Sequence, residues 1–188
     1  MKTVILVAND NEASYLKDLV FNHTSNKPVC ILITGEGRSN VIKTLAKRIK
    51  DGTIESSDRV INVGYVGGYG FKSGDTIKIG SVEHFIPSET IKEKSIYLDG
   101  KYTKDSKINY FNEYCYTADN FVDADSVGPW MPDKFVCDME LYYIALMFPN
   151  VISYKIVSDT LDYDEYKQAD FKESWEIVKK EIKGVING

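Results

Sequence analysis

Twice in this chain a short, continuous apolar run gives way to a polar or glycine break and then to a segment with helical spacing, and a third strand candidate near the end is also followed by a helical segment. That alternation constrains it to an α/β fold. Thr3 to Ala8 is broken by Asn9-Asp10-Asn11, and a helix is predicted from about Glu12 to Asn22. Val29 to Thr34 is broken by Gly35-Glu36-Gly37, after which Val41, Ile42, Leu45 and Ile49 give Ser39 to Lys50 helical spacing. Ile152 to Val157 precedes an amphipathic closing helix over Phe171 to Asn187. Apolar runs without alternation suit strands covered on both faces, so the units predict a largely parallel central sheet. Arg59 to Val63 is a further short strand, and it enters a glycine-rich stretch, Gly64-Tyr65-Val66-Gly67-Gly68-Tyr69-Gly70, read as a turn.

Elsewhere the pattern is weaker. Thr76 to Phe85 reads as a strand, and Pro87 to Asn112 is a polar, Lys-rich stretch of short strands and loops. Tyr114 to Thr117 is a strand, Asp123 to Asp133 a loop marked by Gly128-Pro129 and Pro132, and Asp138 to Phe148 a helix. No repeat, low-complexity tract or linker divides the 188 residues, so one domain over 1–188 is expected.

Composition serves mainly to exclude. The net charge of −5 and the lack of a Lys/Arg cluster with interleaved aromatics argue against nucleic acid as the main partner. No apolar run is long enough for a membrane span, and the N-terminus reads as a first strand, not a signal peptide. Cys30, Cys115 and Cys137 are far apart and odd in number, and with two histidines they give no metal-ligand spacing. A reduced, cytoplasmic setting with no metal and no cofactor is expected.

Ligands of open α/β sheets bind outside the carboxyl ends of the strands. Just past those ends lie Glu12, Gly35 to Arg38, Gly64 to Gly68, and Asp159. Two acidic segments, Val136-Cys137-Asp138-Met139-Glu140 and Val157-Ser158-Asp159-Thr160-Leu161-Asp162, suit a site that holds a sugar and protonates a leaving group. Plainer readings stand beside these. Asp159 suits a turn, Glu12 and Glu140 suit helix starts, the glycines suit tight packing, and Phe121 suits the core.

In order along the chain, four blocks resemble the nucleoside phosphorylase and nucleosidase family, most of all its methylthioadenosine/S-adenosylhomocysteine nucleosidase branch. They are Asn9-Asp10-Asn11-Glu12, Thr34-Gly35-Glu36-Gly37-Arg38-Ser39-Asn40, Asn62-Val63-Gly64-Tyr65-Val66-Gly67-Gly68, and the pair Asp138-Met139-Glu140 with Ser158-Asp159-Thr160-Leu161-Asp162. The resemblance implies a three-layer α/β/α fold with a central mixed sheet, phosphorylase/hydrolase-like and shortened in the middle. It implies an enzyme that cleaves the N-glycosidic bond of a purine nucleoside, and a homodimer or higher homo-oligomer.

Roles follow by position. The resemblance makes Asp159 the acid that protonates the departing base, with Ser158 beside it, and Glu12 the group that orients and deprotonates water. Glu140 would accept hydrogen bonds from ribose hydroxyls, Met139 would cover the sugar, and Phe121 and Val122 would bracket the base. Gly64 and Glu36 join them as substrate-binding residues. Asn11-Glu12 and Asn62 stand where the family's phosphorylases place arginines, which favours water over phosphate, and Arg38 is the one candidate phosphate ligand. Three departures bear on the substrate: the short middle, Glu36 where an apolar residue is usual near the sugar's 5′ carbon, and Tyr65-Val66 where two small residues are usual. A carboxylate beside a thioether is costly, so a 5′-hydroxyl or other polar group suits Glu36 better. Phosphorolysis, and a non-catalytic nucleoside-binding module, are the alternative functions.

Overall fold

The computed structural model describes residues 1–21, 28–85, 96–98, 109–111, 115–129, 131–166 and 171–188. The elements run β1 (Thr3–Val7), α1 (Asp10–Phe21), β2 (Val29–Ile33), α2 (Gly37–Lys50), β3 (Arg59–Tyr69), β4 (Thr76–Ile79), β5 (Ser81–His84), β6 (Ile96–Tyr97), β7 (Asn109–Phe111), β8 (Cys115–Thr117), β9 (Phe135–Asp138), α3 (Leu141–Met147), β10 (Ile152–Asp159), α4 (Tyr163–Tyr166) and α5 (Lys172–Asn187). The ten strands of the described residues join one mixed sheet. Its centre is the parallel order β2-β1-β3-β10, and β4 pairs antiparallel with the far side of β10.

The layers follow from strand alternation. Val4 and Leu6 on β1 face a core shared with Val41 and Leu45 of α2 and Ile144 of α3. Ile5 and Val7 face the opposite core, with Leu16 and Leu19 of α1 and Trp175, Val178 and Ile182 of α5. The expected three-layer α/β/α arrangement around a mixed sheet is therefore present. In α2, however, only Val41 and Leu45 of the predicted apolar positions are buried. Ile42 and Ile49 are 36% and 44% exposed, because only one of the two offset rows meets the sheet.

The glycine-rich stretch is not a turn until Gly70. It is the second half of β3, an 11-residue strand. The first half pairs with β1 at Arg59–Asn62, and the second pairs with β9 at Gly67–Tyr69, while β10 runs alongside from Ile61 to Gly67. β3 thus links the parallel centre to a second set of strands, in which β9 is followed by β8 and then β5. The predicted strand over Thr76 to Phe85 divides at Gly80 into β4 and β5. The helix expected from Asp138 starts at Leu141, which leaves Asp138 on β9 and Glu140 at the helix cap. The short α4 was not foreseen. Most of the Pro87 to Asn112 stretch, His23 and the start of the strand predicted at Tyr114 lie outside the described residues. Among the described residues no helix is long and apolar enough to cross a membrane.

Candidate active site

The carboxyl ends of the central strands border a cavity of about 330 Å³, within the roughly 300–1,000 Å³ usual for ligand pockets. Ala8 and Asn9 after β1, Glu12 of α1, Glu36 before α2, Tyr65 to Gly67 of β3, Asn120 and Phe121 after β8, Cys137 to Glu140, and Ser158 and Asp159 of β10 line it. A small adjoining recess is shared by Gly67, Phe121, Val122 and Met139. Glu12, Glu36, Phe121, Met139, Glu140, Ser158 and Asp159 therefore meet at one cavity, and Val122 borders its recess.

Glu12 sits in the first turn of α1, but its side chain serves more than the helix start. Asn9 Oδ1 accepts the Glu12 N–H at 3.1 Å, and the Glu12 carboxylate turns back to accept Ala8 N–H at 2.7 Å and Tyr65 N–H at 3.1 Å. The group is only 3% exposed. Burial raises its pKa against the opposing backbone N–H bond from Ala8 and the charge of Lys155. Gly64 does not line the cavity. A Cβ there would lie 2.8 Å from Glu12 Oε1, so glycine makes room for the carboxylate.

Glu140 begins α3 without capping it. Its Oε1 instead accepts the Gly37 N–H at 2.8 Å across 103 residues. That amide is presented by the turn before α2, in which Gly35 (φ +84°) and Gly37 (φ +77°) both hold the left-handed conformation that glycine adopts without strain. Burial, and then the charge of Asp138, push the Glu140 pKa up to about 7.

Asp159 ends β10 and is 1% exposed. Its Oδ1 accepts the Leu161 N–H at 3.0 Å, and Ser158 Oγ lies 2.6 Å from its Oδ2. Ser158 Oγ also has Val66 O at 3.2 Å, so its single proton has a second acceptor when Asp159 is itself protonated. Burial raises the Asp159 pKa against the Ser158 and Leu161 hydrogen bonds. Leu161, at φ +68°, is the one non-glycine residue with positive φ among the described residues. Its strained turn aims an N–H back at Asp159. A Cβ on Gly67 would meet Leu161 Cδ2 at 2.8 Å and Asp159 Oδ1 at 3.0 Å, so this glycine leaves space for the Leu161 side chain and the carboxylate together.

One charged residue escaped the sequence reading. Lys155, in the middle of β10, is 1% exposed, and its ammonium lies 2.7 Å from Asp138 Oδ2. Burial opposes its charge, but Asp138 and Glu140 outweigh that and raise its pKa. Asp138 also accepts the Leu141 N–H at 3.0 Å and the Thr117 hydroxyl at 2.5 Å, so it is a structural cap and counter-ion. A lysine in the middle of a strand expected to be covered on both faces was the available signal, since buried charges are almost always paired.

Two further expectations meet a different geometry. Arg38 does not line the cavity. Its guanidinium is 3.5 Å from Asp119 and lies over the Tyr143 ring. Tyr65, expected to crowd the pocket, borders the cavity but packs its ring against the opposite core. It packs against Phe171 and Trp175, and Trp175 Nε1 donates to its hydroxyl at 2.7 Å. Phe121 is 42% exposed at the cavity mouth, and so is not a core residue. Among the described residues no group of His, Cys, Asp and Glu has the geometry of a metal site.

Solved structures share this architecture. The 5′-methylthioadenosine/S-adenosylhomocysteine nucleosidase of Neisseria meningitidis, in complex with methylthio-immucillin-A, matches with a TM-score of 0.76 and 17% identity over 100% of both chains. The Streptococcus pneumoniae MTA/SAH nucleosidase, in complex with 8-aminoadenine, matches at 0.75 and 16% identity over 99% of both. The Helicobacter pylori enzyme with butyl-thio-DADMe-Immucillin-A matches at 0.72 and 15% identity, over 100% of this chain and 98% of that one. No family model and no curated protein matches the sequence. The chain has the nucleosidase fold.

Proposed function

We propose that the protein is a nucleosidase that hydrolyses the N-glycosidic bond of a purine nucleoside to free base and ribose sugar. The observation that carries this reading is the convergence of Glu12, Glu140 and Asp159, from three distant parts of the chain, on one cavity. Cleavage builds positive charge on the sugar and negative charge on the base. A buried Asp159 with a raised pKa is suited to give a proton to a purine ring nitrogen. Glu140, oriented by the Gly37 amide, is suited to accept ribose hydroxyls and to favour the cationic sugar. Each Glu12 oxygen accepts one of the backbone N–H groups of Ala8 and Tyr65, which leaves lone pairs for water, and its raised pKa makes it a stronger base.

Water is favoured over phosphate on charge. Glu12 would repel a phosphate, and Arg38, the candidate ligand, is committed to Asp119 outside the cavity lining. A panel of purine nucleosides incubated with the protein, with and without phosphate, tests the reading by release of free base. Release in both conditions is expected. Release only with phosphate moves the protein to the phosphorylases, and binding without release makes it a nucleoside-binding module.

Strand order supports one direction for the substrate. From Asp159 on β10 the cavity passes β3 and β1 to Glu36 after β2, three strand steps of about 4.8 Å each, or roughly 14 Å. With the base at Asp159, Glu36 faces the far end of the sugar, where the 5′ substituent lies. Asn9 fixes it there: the Asn9 amide N–H donates to Glu36 Oε1 at 2.9 Å while its Oδ1 is held by the Glu12 N–H. A 5′-hydroxyl can donate to that carboxylate, and a 5′-alkylthio group cannot. Glu36→Leu is expected to shift the ratio of kcat/KM for 5′-hydroxy over 5′-methylthio nucleosides by about 10-fold toward the thioether. An unchanged ratio would remove Glu36 from the 5′ contact.

A further inference from the structure

We propose that Asp119 is the positioning residue for the cavity wall formed by Asn120 and Phe121, held in place by Tyr143, Arg38 and His84. The inference rests on the nucleosidase reading, in which this wall covers the base. Asp119 follows β8 just after the last ladder bond of that strand, from Ala118 N–H to Asp138 O at 2.8 Å. The next two residues line the cavity, and Phe121 is its exposed tip. Beyond them Val122 is buried, and Ala124 N–H donates to Leu161 O at 3.2 Å, two residues after Asp159. The wall is therefore tied down at both ends, and Asp119 is the anchor on the β8 side.

Three elements reach that anchor. The Tyr143 hydroxyl, on α3, donates to Asp119 Oδ1 at 2.6 Å. His84 Nε2, at the end of β5, is 2.9 Å from the same hydroxyl and 4.0 Å from Asp119 Oδ1. Arg38 of α2 is 3.5 Å from Asp119 Oδ2. The Tyr143 hydrogen bond is the largest of the causes that hold the Asp119 pKa below its usual value. Arg38 adjoins Gly37, whose amide orients Glu140, and Tyr143 N–H donates to Glu140 O at 3.1 Å. The network thus couples the wall over the base to the elements that would grip ribose. Its members are unequal. The Arg38 and Asp119 side chains are 54% and 45% exposed, and such pairs contribute little. The short hydroxyl–carboxylate bond to the buried Tyr143 is the stronger anchor.

The test compares Asp119→Asn, Tyr143→Phe and Arg38→Ala with wild type, using the nucleoside released fastest in the panel and calorimetric binding of free adenine and hypoxanthine. Tyr143→Phe and Asp119→Asn are expected to raise KM and weaken purine binding about 10-fold with kcat within about twofold, the pattern of lost uniform binding. Arg38→Ala should do so less, and the double variant Asp119→Asn/Tyr143→Phe should be no worse than the more affected single one. Asp119 is half-exposed, so its variant should fold even if Tyr143→Phe does not. Unchanged KM and purine affinity in Asp119→Asn overturn the anchor while leaving the nucleosidase reading intact. So does a fall in kcat at constant KM, which would put Asp119 in the chemistry. A wild-type protein that neither binds a purine nor releases one overturns both.

Discussion

Asp159→Asn is expected to lower kcat for base release by roughly 10²–10⁴-fold, the usual worth of a general acid, while nucleoside binding changes little. The substitution is nearly isosteric, and the Asn carbonyl can still accept the Leu161 N–H that Asp159 Oδ1 accepts at 3.0 Å. What it removes is a transferable proton. The pH profile separates this from a loss of shape. Asp159 has a raised pKa and acts in its protonated form, so its contribution to rate is full at low pH and is lost as pH rises through that raised value. Glu140 acts ionised, so its contribution grows as pH rises through about 7. The wild-type profile should therefore fall on both sides, and the residual rate of Asp159→Asn should keep the acid limb and lose the alkaline one. A variant with wild-type kcat would remove Asp159 from the acid role. A low kcat with an intact alkaline limb would show that another group supplies the proton.

The parts of this molecule that were legible in the sequence are those governed by short-range pattern. β1, β2, α1, α2 and α5 each carry a continuous apolar run or a helical apolar face, and these elements and the strand expected at Ile152 to Val157 lie close to their expected places. The extended course of β3 was hidden because glycine is a turn signal when no partner is in view. The cause of Gly64 and Gly67 is tertiary: Gly64 vacates space for the Glu12 carboxylate, and Gly67 for the Leu161 side chain and the Asp159 carboxylate. A similar limit applies to Tyr65. Its bulk suggested a narrowed pocket, yet strand alternation sends its ring to Trp175 on the other side of the sheet. The meeting of Glu12, Glu140 and Asp159 was legible as strand-end placement together with the family resemblance. Arg38's engagement with Asp119 was not, because residues 38, 84, 119 and 143 share no local pattern and only the packing of α2, β5 and α3 unites them.

Lys155→Met is expected to destabilise the fold by roughly 3–5 kcal/mol at neutral pH, the usual cost of removing one partner from a buried pair. The loss is electrostatic, since methionine matches the length of the lysine stem. Asp138, at 5% exposure, would keep its bonds from Leu141 N–H and Thr117 but lose the ammonium 2.7 Å away. Lys155 also lowers the pKa of both Glu12 and Glu140, so its loss leaves more buried negative charge unopposed. The sign of the pH dependence follows. Glu12, Glu140 and Asp159 all have folded pKa values raised above their ordinary ones, so each binds protons more readily in the folded state. Each therefore disfavours folding increasingly as pH rises from the ordinary carboxylate range through its raised value. Removing Lys155 steepens that penalty for Glu12 and Glu140. Urea unfolding of wild type and Lys155→Met at pH 5 and pH 8 should show the larger difference at pH 8. Adding Asp138→Asn should recover part of it by neutralising the orphaned partner. An equal or larger loss at pH 5 would show that Lys155 acts through packing and not as the counter-charge of the carboxylate cluster.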